Sequence, residues 1–248
     1  MSANEYADTD ERGEGFVIVY LGIDDTDTQE SRGTGRLARF IADELSSEYG
    51  ILGVTRHQLF VHDEIPYTSH NSAAVIHIEG NGNGSMQKIY QSAREMMLSD
   101  FIVGSDPGIC IAAAETVPPP VVAFGWSAKK TVLTQEAARY HAQSCGITLE
   151  GLGGTNGGII GALAGVGLAA SGEDGRFVMR GRSRMMTGSR SVDELLASGI
   201  DQIMTRDREL VSEGHVEIRK FPKPALVNGE AVLYVAGTDG HYQDLVVG

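Results

Sequence analysis

Residues 151–172 carry no charged side chain, and this stretch limits the fold more than any other. Such a run must be buried, in a bilayer or inside a protein. Its continuous apolar part, residues 159–170, is too short and too glycine-rich for a span of about 20 residues. A buried helix is expected instead. Gly161 and Gly165 lie four apart and flatten one helix face, which permits close packing or the approach of a ligand. The run 1–15 is acidic and polar, the reverse of a secretory leader, so a cytoplasmic protein without a membrane span is expected.

The residues before this run set out a recognisable order. After a disordered acidic tail over 1–15, residues 16–21 read as a buried strand. A helix is predicted over 34–49, with Leu37, Phe40, Ile41 and Leu45 on one face. Strands follow over 53–62 and 73–79, where Ala74, Ile76 and Ile78 alternate against Val75 and His77. Met86, Ile89, Tyr90, Ala93, Met96 and Met97 form a second helical stripe, and 109–113 a short strand. The order β-α-β-β-α-β is that of a ferredoxin-like unit. The expected class is therefore α+β: a ferredoxin-like βαββαβ domain over 16–117, then a second α/β domain over 118–248. The boundary is placed at Pro118-Pro119-Pro120. The second half reads α-α-β-α-β-β. Ser191-Val192-Asp193-Glu194 is a capping box, and Asn228-Gly229 a hairpin turn.

Charge narrows the partners. The 20 Lys and Arg against 33 Asp and Glu leave a net charge of -13, which opposes docking on a phosphate backbone. Two isolated cysteines, Cys110 and Cys145, build neither a zinc ribbon nor a disulfide framework. Both read as ordinary buried thiols. His57, His62, His70 and His77 cluster in sequence, but strand alternation separates His57 from His62, so no histidine metal site is expected.

Four segments could carry chemistry. Asp24-Asp25-Thr26-Asp27 places three carboxylates in four residues behind an apolar strand. Either a cation relieves their repulsion, with Mg²⁺ fitting best beside phosphate oxygens, or they form an Asp-rich surface turn. Ser31-Arg32-Gly33-Thr34-Gly35-Arg36 opens a helix, where N–H groups and Arg36 suit a phosphate and Thr34 suits the N-cap. Gly151-Leu152-Gly153-Gly154-Thr155-Asn156-Gly157-Gly158 is either a second anion cradle or an interdomain turn. The polar segment around His70 could line a pocket. No Walker P-loop occurs.

These blocks resemble a known family. Gly22-Ile23-Asp24-Asp25-Thr26-Asp27-Thr28 is similar to the opening motif of the TiaS family, the archaeal tRNA-isoleucine agmatinylcytidine synthetases. Ile65-Pro66-Tyr67, Asp106-Pro107-Gly108 and Ile160-Gly161-Ala162-Leu163-Ala164 follow in the family's order, covering 16–170. The resemblance implies a kinase-like catalytic half that uses ATP, with Asp24, Asp25 and Asp27 as Mg²⁺ and ATP residues. It also places the family's reactive threonine at Thr34. It further implies a ferredoxin-like domain that helps to hold agmatine, without the OB-fold and zinc ribbon that hold tRNA. Where the family carries basic residues, this chain has Gly157, Thr68 and His70.

The expected function is thus an ATP- and Mg²⁺-dependent ligase or kinase-like enzyme. Asp24, Asp25 and Asp27 hold the metal, with Asp25 and Thr34 catalytic. Asp24, Thr26, Arg36, His70, Gly153, Gly154, Asn156, Gly157 and Gly158 contact the nucleotide. The substrate is expected to be a small molecule, an amine for an acidic pocket, and not tRNA. The alternative is a non-catalytic binding protein for a small cation such as agmatine or a polyamine. Oligomeric state stays open, a homo-oligomer included.

Overall fold

Strand β1 (Phe16–Asp24) is apolar on successive residues, and from Val19 onward both of its faces are covered. The computed structural model describes residues 16–26, 33–65, 70–81 and 84–246. The tail expected over 1–15 lies outside them, as do Asp27, Arg32 and Thr68. The first half continues with α1 (Thr34–Leu45), β2 (Gly50–Gln58), β3 (Ser72–Asn81), α2 (Ser85–Ser99) and β4 (Gly108–Ala113). Then come α3 (Pro119–Ser127), α4 (Gln135–Ser144), β5 (Thr148–Gly151) and α5 (Ile159–Ser171). The remainder is β6 (Arg176–Met179), β7 (Gly188–Ser191), α6 (Val192–Leu196), β8 (Gln202–Thr205), β9 (His215–Ile218), β10 (Ala225–Val227), β11 (Glu230–Thr238) and β12 (His241–Asp244).

The class is mixed α+β, built on one large sheet with the strand order β5-β4-β1-β3-β2-β6-β10-β11-β12-β9-β7. Pairings among the first four strands are antiparallel. Strand alternation sorts their side chains. Val19, Leu21 and Ile23 meet α1 and α2 on one face, together with Ala74, Ile76 and Ile78 of β3. On the other face Ala73, Cys110 and Ala112 meet α3, α4 and α5. The uncharged run is a central helix. In α5 every residue from Ile159 to Ala170 is small or apolar, and Leu163, Val166 and Leu168 are fully buried. Among the described residues, no helix is long and apolar enough to cross a membrane.

Several expectations change in detail. Helix α1 ends at Leu45; Leu37, Ile41 and Leu45 are buried as expected, joined by Ala38 and Ala42, but Phe40 is 49% exposed. The strand expected over 53–62 stops at Gln58, leaving His62 exposed. The three prolines open helix α3, since proline in the first turn loses no helical hydrogen bond. Ser191 and Glu194 form the expected capping box, and Asn228-Gly229 turns with positive φ at both residues.

Candidate functional site

The alternation of β1 also decides where Asp24 points. Tyr20, Gly22 and Asp24 face α5, and the Asp24 carboxylate lies against the first turn of that helix. A Cβ built on Gly161 would sit 1.7 Å from Asp24 Oδ2. Gly161 is therefore a packing requirement of this carboxylate. Gly161→Ala is expected to displace Asp24 and to cost about 1–3 kcal/mol. Urea unfolding checks this. Alanine elsewhere in a helix stabilises it by about 1 kcal/mol over glycine, so a more stable variant would contradict the contact.

Asp25 follows at a φ of 51°, in the left-handed region that Asp tolerates better than most side chains. Its carbonyl accepts from Asp106 N–H at 3.1 Å. Thr34 is the first residue of α1, and Gly33 is the N-cap, without a side-chain cap bond. The N-cap role expected of Thr34 is thus corrected. Its Oγ1 instead accepts from the Thr26 N–H at 3.4 Å and from the Thr26 hydroxyl at 3.2 Å, which ties the start of α1 to the end of β1.

The glycine loop is organised by Asp106, a residue whose motif the sequence displays but whose role it does not. Asp106 Oδ1 accepts from Thr155 N–H at 2.6 Å, and its Oδ2 from the Thr155 hydroxyl. Gly158 N–H donates to the Asp106 carbonyl at 2.9 Å. Gly154 has a φ of 58°, and a Cβ there would meet Asp106 Oδ1 at 1.7 Å. This part of the loop therefore wraps a carboxylate of the protein itself. Gly153 packs against Phe101 and Asn156 against Gly151.

A cavity of about 580 Å³ collects the rest. Asp24, Asp25, Thr34, Arg36, His70, Gly157 and Gly158 all line it. Gly153, Gly154, Asn156 and Thr26 do not: the loop residues face inward on Asp106 and their neighbours, and Thr26 is buried behind Thr34. Asp24 and Asp25 in the lining of this cavity fit Mg²⁺, which needs only one or two carboxylates beside phosphate oxygens and water. Among the described residues no group of three or more His, Cys, Asp or Glu side chains is poised for a metal ion.

The cavity is not the acidic pocket expected for an amine. Its lining contains Arg36, Arg39, Arg56, Arg176, Arg184 and Lys223 against Asp24, Asp25, Glu64 and Asp106. Six of the chain's 20 Lys and Arg thus meet in one place, despite the net charge of -13. Among the described residues, no carboxylate lies within 4.0 Å of the charged groups of Arg36, Arg39, Arg56, Arg184 or Lys223. Burial, then the nearby Arg184 and Arg36 cations, pulls the Arg39 guanidinium below its ordinary range. Burial, then Arg176, does the same to Arg56. Phe221 supports the cluster: the Arg184 guanidinium lies 4.1 Å from its ring centroid and Lys223 Nζ 5.3 Å.

Outside the cavity lining runs a buried polar chain that sequence reading does not anticipate. His57 Nδ1 meets Asp174 Oδ2 at 3.0 Å, and Asp174 Oδ1 pairs with Lys129. Thr55 Oγ1 lies 2.8 Å from His57 Nε2 and 2.9 Å from His77 Nε2. One proton arrangement satisfies every link: His77 N–H to Thr55, Thr55 O–H to His57, His57 N–H to Asp174. Cys110 is buried, and burial pushes its thiol pKa up, away from reactivity.

No protein-family model matches the chain, and no curated protein matches it significantly. Solved structures do. Apo TiaS, a tRNA agmatidine synthetase, aligns with a TM-score of 0.52 at 25% identity, over 60% of this chain and 35% of that one. The complex of TiaS with its isoleucine tRNA and ATP aligns with a TM-score of 0.53 at 25% identity, over 61% and 36%. A complex of TiaS with the same tRNA, AMPCPP and agmatine, at 23% identity and a TM-score of 0.51, shares the fold. The chain spans about a third of the length of these solved chains. It has a TiaS-like fold. Because these neighbours were solved with tRNA, the expectation that tRNA is no partner draws no support from them.

Proposed function

We propose that this protein is an ATP- and Mg²⁺-dependent enzyme of the ligase or kinase-like type, acting on a small molecule. The observation that carries this reading is convergence: Asp24 and Asp25, the start of α1 and the Gly157-Gly158 turn all line one cavity. Its volume of about 580 Å³ falls within the range of about 300–1,000 Å³ typical of ligand pockets. The TiaS complex with ATP supports the choice of nucleotide.

Asp24 and Asp25 hold Mg²⁺, with Asp27 as a third carboxylate. The metal supplies charge neutralisation for the phosphates. The N–H groups at the start of α1, Arg36 and the 157–158 turn orient the triphosphate. Thr34 Oγ1 accepts from Thr26, so its own hydroxyl proton is directed elsewhere. That arrangement suits an oxygen that receives a phosphoryl group or positions one. The chemistry is either phosphoryl transfer or activation of a carbonyl for attack by a second substrate.

Two structural proposals accompany this. Residues 16–117 form a ferredoxin-like module, supported by the antiparallel order β4-β1-β3-β2. Residues 118–248 form a second unit, which contributes Gly157, Gly158, Arg176, Arg184 and Lys223 to the same cavity. The alternative of a passive binder for a small cation is opposed by the six basic side chains in the lining.

The test is incubation with ATP and Mg²⁺, followed by assay for AMP, ADP and phosphoprotein. Binding is monitored in parallel by thermal shift. A Mg²⁺-dependent shift with ATP is expected, abolished by a chelator. If ATP gives neither a shift nor turnover, while agmatine alone stabilises the protein, the enzyme reading fails.

A further inference from the structure

The Arg56 side of the cavity gathers four of its six basic side chains: Arg56, Arg176, Arg184 and Lys223, with Arg36 and Arg39 on α1.

Their placement is specific. Arg56 on β2 and Arg176 on β6 are direct cross-strand partners in an antiparallel pair. Like charges directly opposite each other destabilise a sheet. On the other side of β6, Arg176 pairs with Ala225, two residues beyond Lys223. Arg56, Arg176 and Lys223 thus come from adjacent chain segments and crowd one another. Burial, then Arg176, Lys220 and Arg56, pulls the Lys223 ammonium below its ordinary range, and only Asp244 opposes them. Asp244 is itself paired with Arg219 at 3.4 Å. Arg56 Nε donates to Ser72 Oγ at 2.8 Å, which fixes its direction. A recess of about 70 Å³ adjoins, lined by Arg56, Gln58, His70 and Arg176, all of them polar.

We infer that Arg56, Arg176, Lys223 and Phe221-supported Arg184 form a second anion subsite, which binds the phosphate group of a small phosphorylated co-substrate beside the nucleotide. The neighbouring nucleotide and the co-substrate role rest on the proposed function; the subsite itself follows from the cation row. An anion seated among these cations lowers their mutual repulsion. A small anion suits the site better than a nucleic acid, because the chain's net charge of -13 opposes an extended phosphate backbone.

The experiment uses the full chain with inorganic phosphate and pyrophosphate as probes. Binding is measured by calorimetry with the nucleotide site saturated by AMPCPP and Mg²⁺. Pyrophosphate is expected to bind under these conditions. Arg176→Gln and Lys223→Gln are each expected to weaken it by 10-fold or more, with nucleotide affinity unchanged. Lys223→Gln is the safer variant for folding, since Lys223 sits outside the strands. It is also expected to raise the apo-protein's Tm, because it removes a charge that its neighbours repel. Pyrophosphate binding that survives both substitutions overturns the proposal. So does a parallel loss of nucleotide affinity, which would assign these cations to the triphosphate. Binding of a short RNA at physiological salt, lost in the same variants, would replace the small anion with a nucleic acid and overturn it too. Absence of nucleotide binding with pyrophosphate binding intact would sink the proposed function and leave the subsite standing.

Discussion

Asp25→Asn is expected to weaken Mg²⁺-dependent nucleotide binding by about 100-fold or more. Asparagine is the informative replacement. It tolerates the left-handed φ of 51° at this position and keeps the side chain's size, so the change isolates the charge. The backbone bond from Asp106 N–H to the residue 25 carbonyl is retained. Alanine would add backbone strain of about 1–2 kcal/mol and confound the two effects. In the presence of a chelator the variant should bind nucleotide no worse than the parent, because a carboxylate without its metal repels phosphate. Calorimetric titrations with and without Mg²⁺ separate the cases. A variant that keeps the full Mg²⁺ dependence would remove Asp25 from the metal site.

Acid should unfold the protein in a pH window set by its buried histidines. Burial, reinforced by His57 and Arg180, pulls the His77 imidazole from 6.5 down to about 3. Burial lowers His57 as well, against the opposing influence of Asp174. Between pH 6.5 and about 3 the unfolded chain therefore binds protons that the folded protein refuses. Stability falls as the pH falls through that window and is complete above it. His77 alone should cost about 2 kcal/mol at about pH 5 relative to about pH 7. Asp174 adds a loss lower down: burial raises its pKa, but the hydrogen bonds from His57 and Lys129 outweigh this and hold it below 3.8. Urea unfolding at neutral pH and near pH 5 measures the effect. His77→Phe, which keeps a ring between Tyr20 and Phe177, should flatten the dependence. A midpoint unchanged between the two conditions would mean that His77 is not held neutral in the fold.

Local patterns are readable where one principle acts alone. Alternation in β3 separates Ala74, Ile76 and Ile78 from Val75 and His77, and the structure places the two sets on opposite faces. The Ser191–Glu194 capping box and the Asn228-Gly229 turn need only a few adjacent residues. Helix α3 escapes a sequence reading because prolines suggest a break, although at a helix start they cost nothing. Short strands such as β7 and β12 have too few residues to show a period. Asp24, Asp25, Gly157 and Gly158, singled out by carboxylate and glycine spacing, and Thr34, singled out by the helix start and the family resemblance, all line one cavity. Asp106 is visible only as part of a motif, since its partners Thr155 and Gly158 lie far along the chain.

The sequence by itself determined that residues 159–170 must be buried and that three carboxylates close an apolar strand, because composition and spacing are local properties. Only the tertiary structure decided what meets them. The small residues of the α5 run serve a particular contact: Gly161 leaves room for the Asp24 carboxylate. Arg56, Arg176 and Lys223 are scattered through an acidic chain, and net charge averages them away. Pairing β2 with β6 and β6 with β10 brings them together. Electrostatic interaction depends on distance in space, and no count along the chain contains that distance.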